Sequence, residues 1–360
     1  MILITGGAGF VGSNFILQWL AEEKVGIVNL DKLTSSGNLS NLSSIEYHPS
    51  YHFIKGDIRN KSLLRECFLA HRPKAVVHSA TELPGDKTQG FTDQYLQKHI
   101  LATKDLLDET LLYWEEMDSD LKQSFRFLNI SSSEVYGVAT TGANFANEQT
   151  PYSPIKPNAI LRAAVDDLVH TYHTQHGLPT LTTYCSNNFG PFQFPTKLIP
   201  LIVLNALQGN ELDVCEEGNN VTPWLYVGEH CNALRYILAN GSPGESYHIG
   251  AQSLMTNIEL IDHLCQLLDE LKSDSPFRPH KTLIKIEKDN PKYGQNHILD
   301  DTKLRNLGWT PKENFHTSLK KTILWYLHNM PWVKNVMSGE YKDRIYTEKI
   351  QTKLYVFDTV

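Results

Sequence analysis

Met1-Ile2-Leu3-Ile4-Thr5-Gly6-Gly7-Ala8-Gly9-Phe10-Val11-Gly12 opens the chain, and its reading decides the fold. An apolar run short enough for a buried strand passes straight into Gly6, Gly9 and Gly12, and then into a helical pattern in which Phe15, Ile16, Trp19 and Leu20 share a face. Glycines at this spacing permit a tight bend and let a pyrophosphate approach the backbone. The helix N-terminus near Phe10 and Val11 offers it free N–H groups and partial positive charge. Asp31 ends the next apolar run, roughly 20 residues further on, where a carboxylate accepts bonds from a ribose 2′-hydroxyl and repels a 2′-phosphate. Asp57 and Ile58 follow the third run and read as adenine-edge contacts. The stretch predicts a dinucleotide site that favours NAD over NADP.

Working outward, Ile2–Ile4, Ile27–Leu30, His52–Ile54, Ala75–His78, Phe125–Ile130 and Leu181–Tyr184 read as buried strands. Between them, Ser13–Glu22, Lys61–Ala70, Tyr95–Trp114 and Leu161–His176 carry helical periodicity. Alternation with short connections implies a parallel sheet covered on both faces, hence an α/β fold of Rossmann type, doubly wound, with ligands beyond the strand C-termini. After Asn187 the rhythm changes: Pro191, Pro195 and Pro200 open a segment of longer helices (Leu198–Gln208, Asn257–Leu271) and short strands. The expected plan is an NAD-binding lobe over residues 1–186, to which 224–250 returns. A smaller α/β substrate lobe takes 187–223 and 251–341, and 342–360 form a tail.

Composition bounds the partners. The 360 residues (40.9 kDa) are 41% hydrophobic and 20% charged, with a mean hydropathy of −0.32, which is a globular balance. Lys plus Arg number 33 and Asp plus Glu 40, giving a net charge of −7, so no electrostatic footprint for nucleic acid or an anionic membrane is present. Five scattered cysteines (Cys67, Cys185, Cys215, Cys231, Cys265) form no CxxC pair and read as reduced thiols. With no signal peptide before the first strand and no apolar stretch long enough to span a bilayer, a cytoplasmic protein is expected. His170, His173 and His176 lie on one helix without a completing carboxylate, so no metal is expected.

The glycine spacing at the extreme N-terminus resembles that of the extended short-chain dehydrogenases/reductases. The likeness sharpens through Val28-Asn29-Leu30-Asp31-Lys32-Leu33-Thr34 with Gly37-Asn38-Leu39, Glu134-Val135-Tyr136-Gly137, Cys185-Ser186-Asn187-Asn188-Phe189-Gly190-Pro191 and Trp224-Leu225-Tyr226-Val227. Together these are similar to the dTDP-glucose 4,6-dehydratases. The resemblance implies that Lys32, Thr34, Gly37, Ser79 and Ala80 join the cofactor set, and that Glu82, Asn188, Lys197 and Leu198 face the substrate. It also implies a homodimer joined through a four-helix bundle. In that family NAD oxidises C4 of a nucleotide-bound hexose, water leaves across C5–C6 and the hydride returns to C6. A Tyr of a YxxxK pair takes the hydroxyl proton, and an Asp-Glu pair serves the elimination.

Several positions depart from that pattern. Asn158 stands where the family has its Tyr, and Arg162 where it has its Lys; an amide is no phenolate base and a guanidinium does not exchange protons, but Arg162 can still join the cofactor set by holding the nicotinamide ribose. A literal YxxxK, Tyr152 to Lys156, contains Pro154 and precedes Pro157, which predicts a loop instead of a helix. Ser133 replaces the family's Asp beside Glu134, with Ser132 in the place of its Thr. Thr222 replaces an arginine of the diphosphate clamp, Gln295-Asn296-His297 replaces an arginine-rich stretch, and Asp213 and Cys215 replace residues of the base pocket. Pro84 and Gly85 reshape the loop that carries Glu82 and Asp86. The expected function is therefore an NAD-binding member of this lineage, a lyase or oxidoreductase acting on a small molecule other than dTDP-glucose. Glu134, Ser132, Ser133, Asn158 and Arg162 would surround its reacting centre. The alternatives are a catalytically silent NAD-binding regulator or partner subunit, and an ordinary dTDP-glucose 4,6-dehydratase.

Overall fold

A computed structural model describes residues 1–81, 97–137, 145–215, 221–251, 253–287 and 298–342. Its strands in chain order are β1 (Ile2–Thr5), β2 (Ile27–Asp31), β3 (Tyr51–Lys55), β4 (Ala75–His78), β5 (Arg126–Ser132), β6 (Phe145–Ala146) and β7 (Thr180–Cys185). They are followed by β8 (Asn187–Phe189), β9 (Leu212–Cys215), β10 (Val221–Tyr226), β11 (Ser246–Ile249), β12 (Ser253–Thr256), β13 (Ile284–Glu287) and β14 (Ile298–Leu299). Seven of these form one sheet in the order β11-β7-β5-β4-β1-β2-β3. Every pairing in it is parallel. That is the doubly wound order expected from the sequence, and its reversal lies between β1 and β4. The carboxyl ends of β1, β2, β4, β5 and β7 therefore open on one edge, where such folds place a ligand.

The apolar runs form strands because both faces of the sheet are covered. β1, β2 and β4 are buried along their whole length, so strand-by-strand alternation of polar and apolar residues is absent. On one face, Phe15, Ile16 and Trp19 of the helix Phe10–Glu22 pack with Leu234 and Ile237 of the helix Val227–Asn240. On the other, Leu64 and Phe68 pack with Leu106, Val165 and Val169 from two further helices. Val227–Ile249 thus returns to the first lobe, ending in edge strand β11, whereas β10 stays in a small sheet with β8 and β12. The second lobe has its own core, with Ile202 and Val203, Leu260, Leu264 and Leu268, and Leu319, Ile323 and Tyr326 contributed by three helices.

Two helix boundaries differ from the periodicity. The helix expected from Leu161 begins at Pro157, because proline is suited to the first helical turn, where its missing N–H costs nothing. The segment expected as one helix from Tyr95 is described from Gln97 as a wider π turn to Leu101, followed by an α-helix over Ala102–Glu115; Tyr95 lies outside the described residues. Among the described residues no helix is long and apolar enough to cross a membrane, and no His, Cys, Asp or Glu cluster suits a metal.

Candidate functional site

The glycine turn is built by exclusion. Gly6 has a left-handed backbone (φ +73°), and a Cβ on it would stand 2.6 Å from Ala80 Cα. A Cβ on Gly12 would stand 2.4 Å from Gly6 O, so the helix could not begin so close beneath the strand. Gly9 caps the helix Phe10–Glu22 in an extended conformation without a side-chain bond, and its first turn carries no acidic residue to compete with an anion.

Around this turn lies a cleft of about 450 Å³. All fourteen residues expected to hold the cofactor line it: Gly6, Gly9, Phe10, Val11, Gly12, Asp31, Lys32, Thr34, Gly37, Asp57, Ile58, Ser79, Ala80 and Arg162. Asp31, at the end of β2, is 7% exposed and already accepts the backbone N–H groups of Ala8 (2.9 Å) and Leu33 (2.7 Å). Burial raises its pKa, and these two bonds pull it back. Asp57 pairs with Lys32 at 3.0 Å and with Arg59 at 3.2 Å. Burial alone would raise its pKa, but the Arg59 amide and the two cations outweigh it and hold the carboxyl below its usual range.

At the other end of the cleft stand Ser131 and Ser132 of β5, Glu134, Arg162, Cys185, Asn187 and Asn188. Ser132 caps the short turn Ser133–Tyr136 by accepting the Glu134 N–H at 3.3 Å. Glu134 reaches the cleft and lies 3.5 Å from Lys156 Nζ. Ser133 instead points into the fold at 4% exposure and does not line the cleft. Residues 151–156 are non-helical, as Pro154 and Pro157 predicted, and the Tyr152 hydroxyl bonds that of Tyr184.

Asn158, Arg162 and Asp166 fall one turn apart on the helix Pro157–His176. Arg162 lines the cleft with a buried Nε that has no hydrogen-bond partner among the described residues, while Asn158 is partly buried and outside the cleft lining. Asp166 is 3% exposed and accepts from Asn129 Nδ2 (2.8 Å) and Ser131 Oγ (2.6 Å). Burial pushes its carboxyl up to about 7 despite those two bonds and the charge of Arg162. His99 is buried below the same region, and burial followed by the charges of Arg162 and His78 lowers it to about 3, so it is neutral.

Of the residues expected to face substrate, Asn188 lines the cleft and donates to Cys185 Sγ (3.2 Å) and Ser186 O (3.2 Å). Lys197 caps the helix Leu198–Gln208 outside the lining, and Leu198 packs against the second lobe's core. Thr222 lies in β10, and Asp213 in β9 pairs in register with Lys285. Glu82, Asp86 and Gln295-Asn296-His297 lie outside the described residues. The lining also includes Ser36, Thr81, Gln193 and His230, which sequence reasoning missed. His230 is wholly buried with both ring nitrogens unpartnered, and burial lowers it to about 3. Nothing in its helical pattern marks it, because its burial comes from the helix Val227–Asn240 packing against Phe10–Glu22.

A family profile described as GDP-mannose 4,6 dehydratase matches residues 3–322. The dTDP-glucose 4,6-dehydratase of Xanthomonas campestris pv. campestris (strain B100) is 39% identical over 341 residues, covering 94% of this chain and 97% of its own. The chain belongs to the nucleotide-sugar 4,6-dehydratase family. A second member, the dTDP-glucose 4,6-dehydratase of Neisseria meningitidis serogroup B, is 39% identical over 97% of this chain and 99% of its own. Among solved structures, the dTDP-glucose 4,6-dehydratase of Bacillus anthracis in complex with NAD superposes with a TM-score of 0.80 at 34% identity. It covers 93% of this chain and 99% of its own. Family membership thus extends over both lobes.

Proposed function

We propose that this chain is an NAD-dependent enzyme of the 4,6-dehydratase lineage that acts on a small molecule other than dTDP-glucose. The observation that carries the reading is Arg162. Its guanidinium borders the cleft with an unpartnered buried Nε where the lineage is expected to carry Lys, and Asn158 precedes it by one turn where a Tyr is expected. The cofactor fits the residues present: the Cβ-free turn leaves room at the helix N-terminus, and Asp31 retains lone pairs for ribose hydroxyls. NAD, when bound, supplies a hydride acceptor. Arg162 contributes fixed positive charge and donors but does not exchange a proton. Proton uptake then falls to Glu134, with the Ser132 hydroxyl as a donor and Ser133 as packing beneath them. Glu82, Asn188, Lys197 and Leu198 are assigned to the substrate side. The reading also includes a cytoplasmic homodimer, with the helices Ala102–Glu115 and Pro157–His176 pairing across a two-fold axis into a four-helix bundle.

The test is turnover of dTDP-glucose at high enzyme concentration. No 4-keto-6-deoxy sugar is expected, together with a rise in melting temperature from one component of a metabolite extract. Product formation would refute the altered specificity. A second reading, a silent NAD-binding regulator, draws on the absence of any tyrosine among the described residues lining the cleft. It requires that Glu134→Ala leave the cellular role intact, and a lost phenotype rules it out.

A further inference from the structure

A second cleft, of about 460 Å³, lies at the seam where the helix Met330–Ser338 meets the turn Leu39–Ile45. Its walls are Phe192 and Trp332, and its rim carries Ser40, Ser43, Ser44 and Asn335. Among the described residues none that lines it is charged, in contrast to the cofactor cleft with Asp31, Lys32, Asp57, Glu134 and Arg162. A phosphate or carboxylate placed there would lose water without gaining a cation. A purely apolar molecule would strip water from the hydroxyls and amides and pair with none of them. A neutral sugar matches both demands, since its C–H faces suit aromatic rings and its rim of hydroxyls suits Ser and Asn.

Two features mark the cleft as constructed. Phe192 holds a left-handed backbone (φ 65°), a conformation that costs a residue with a Cβ and that clusters at ligand sites. Its ring is fixed edge-on against Trp325 (centroids 4.7 Å apart) and Trp332 (6.0 Å). Asn335 lines the rim, and its buried Oδ1 has no hydrogen-bond partner among the described residues. The cleft is also wired to the glycine turn. Trp332 Nε1 donates to Asn41 Oδ1 (2.9 Å), Asn41 Nδ2 donates to Ala8 O (3.1 Å), and Ala8 N donates to Asp31 Oδ2 (2.9 Å).

We propose that this seam cleft binds a neutral hexose or deoxyhexose, and that its occupancy is coupled to the cofactor site through Trp332, Asn41 and Ala8. The site stands apart from any assignment of the main cleft's substrate, so its test does not depend on that reading. The full-length protein is titrated with methyl α-D-glucopyranoside and with L-rhamnose, followed by saturation-transfer NMR and tryptophan fluorescence. NAD affinity is measured by calorimetry with and without the sugar.

Saturable binding is expected, weakened about tenfold by Asn335→Ala. The sugar should change NAD affinity by about fivefold or more, and NAD should change sugar affinity by the same factor. Trp332→Phe keeps a ring but loses the bond to Asn41, so sugar binding should persist while NAD affinity no longer responds. Absence of saturable binding by both sugars overturns the proposal. So does binding that is competed by NAD and indifferent to Asn335→Ala, which would put the sugar in the cofactor cleft. Binding that leaves NAD affinity unchanged in the unmodified protein overturns the coupling.

Discussion

Replacing Asp166 by asparagine should stabilise the protein, and by an amount that grows with pH. In the fold Asp166 titrates at about 7, against 3.8 for the free side chain, because it is buried. A raised acid pKa means that the folded chain keeps a proton which the unfolded chain has released. From pH 3.8 upward stability therefore falls by about 1.4 kcal/mol per unit, and the loss is complete above pH 7. A rise from 3.8 to about 7 corresponds to about 4 kcal/mol, of which roughly a third is already lost at about pH 5. The introduced amide carries no charge at any of these values. Its oxygen can accept from Asn129 as the carboxylate did, and its NH₂ can donate to Ser131 once that hydroxyl turns round. The stability difference between variant and wild type should thus shift in the variant's favour by about 2–3 kcal/mol between about pH 5 and about pH 8.5. Urea denaturation at several pH values measures it, and titration of other groups cancels in the comparison. A difference that moves by less than about 1 kcal/mol over that span would show that Arg162 or water keeps Asp166 ionised in the fold.

Asp31→Asn should weaken NAD binding by roughly tenfold or more, since a charge-assisted bond contributes about 1.5–3 kcal/mol, and it should narrow the preference over NADP. Calorimetry with both cofactors checks this, and an unchanged preference contradicts the assigned role of the carboxylate. Gly12→Ala gains about 1 kcal/mol of helix propensity but sets a methyl 2.4 Å from the Gly6 carbonyl, where only backbone movement can relieve it. Overpacking of about 1–3 kcal/mol wins, so both melting temperature and NAD affinity should fall; a more stable variant would refute the close-approach argument. Leu112→Glu combined with Ile160→Glu alters two exposed apolar side chains (50% and 37%) on the helices assigned to the dimer. Light scattering should report a monomer with an unchanged circular dichroism spectrum, and an unchanged mass places the interface elsewhere.

The sheet was legible because fully buried parallel strands leave continuous apolar runs, which β1, β2 and β4 display. The adenosine end of the cleft was legible because the glycine turn and a carboxylate roughly 20 residues further on both belong to one local β-α-β unit. What escaped depended on contacts remote in sequence. Ser133 reads as an active-site neighbour of Glu134, yet the short helical turn after β5 aims it inward. Pro157 reads as a helix breaker but starts the helix, which extends that helix to Asn158 and sets it four residues before Arg162. His230 is polar on a helix with a solvent face, and only the packing of two helices more than two hundred residues apart in sequence buries it.

The order of the large sheet has a consequence for how the chain is made. β1 sits near the centre, and β1 to β4 can assemble as soon as residue 78 has emerged. The sheet is not complete until β11 pairs with β7, and the 60 residues 186–245 lie between the end of one and the start of the other. At ribosomal rates of about 5–20 residues per second, the outer edge of β7 waits about 3–12 s for its partner. An unpaired strand edge is a template for another chain. During synthesis, then, the hazard of this protein lies along Thr180–Cys185, and whatever delays residues 246–249 lengthens it.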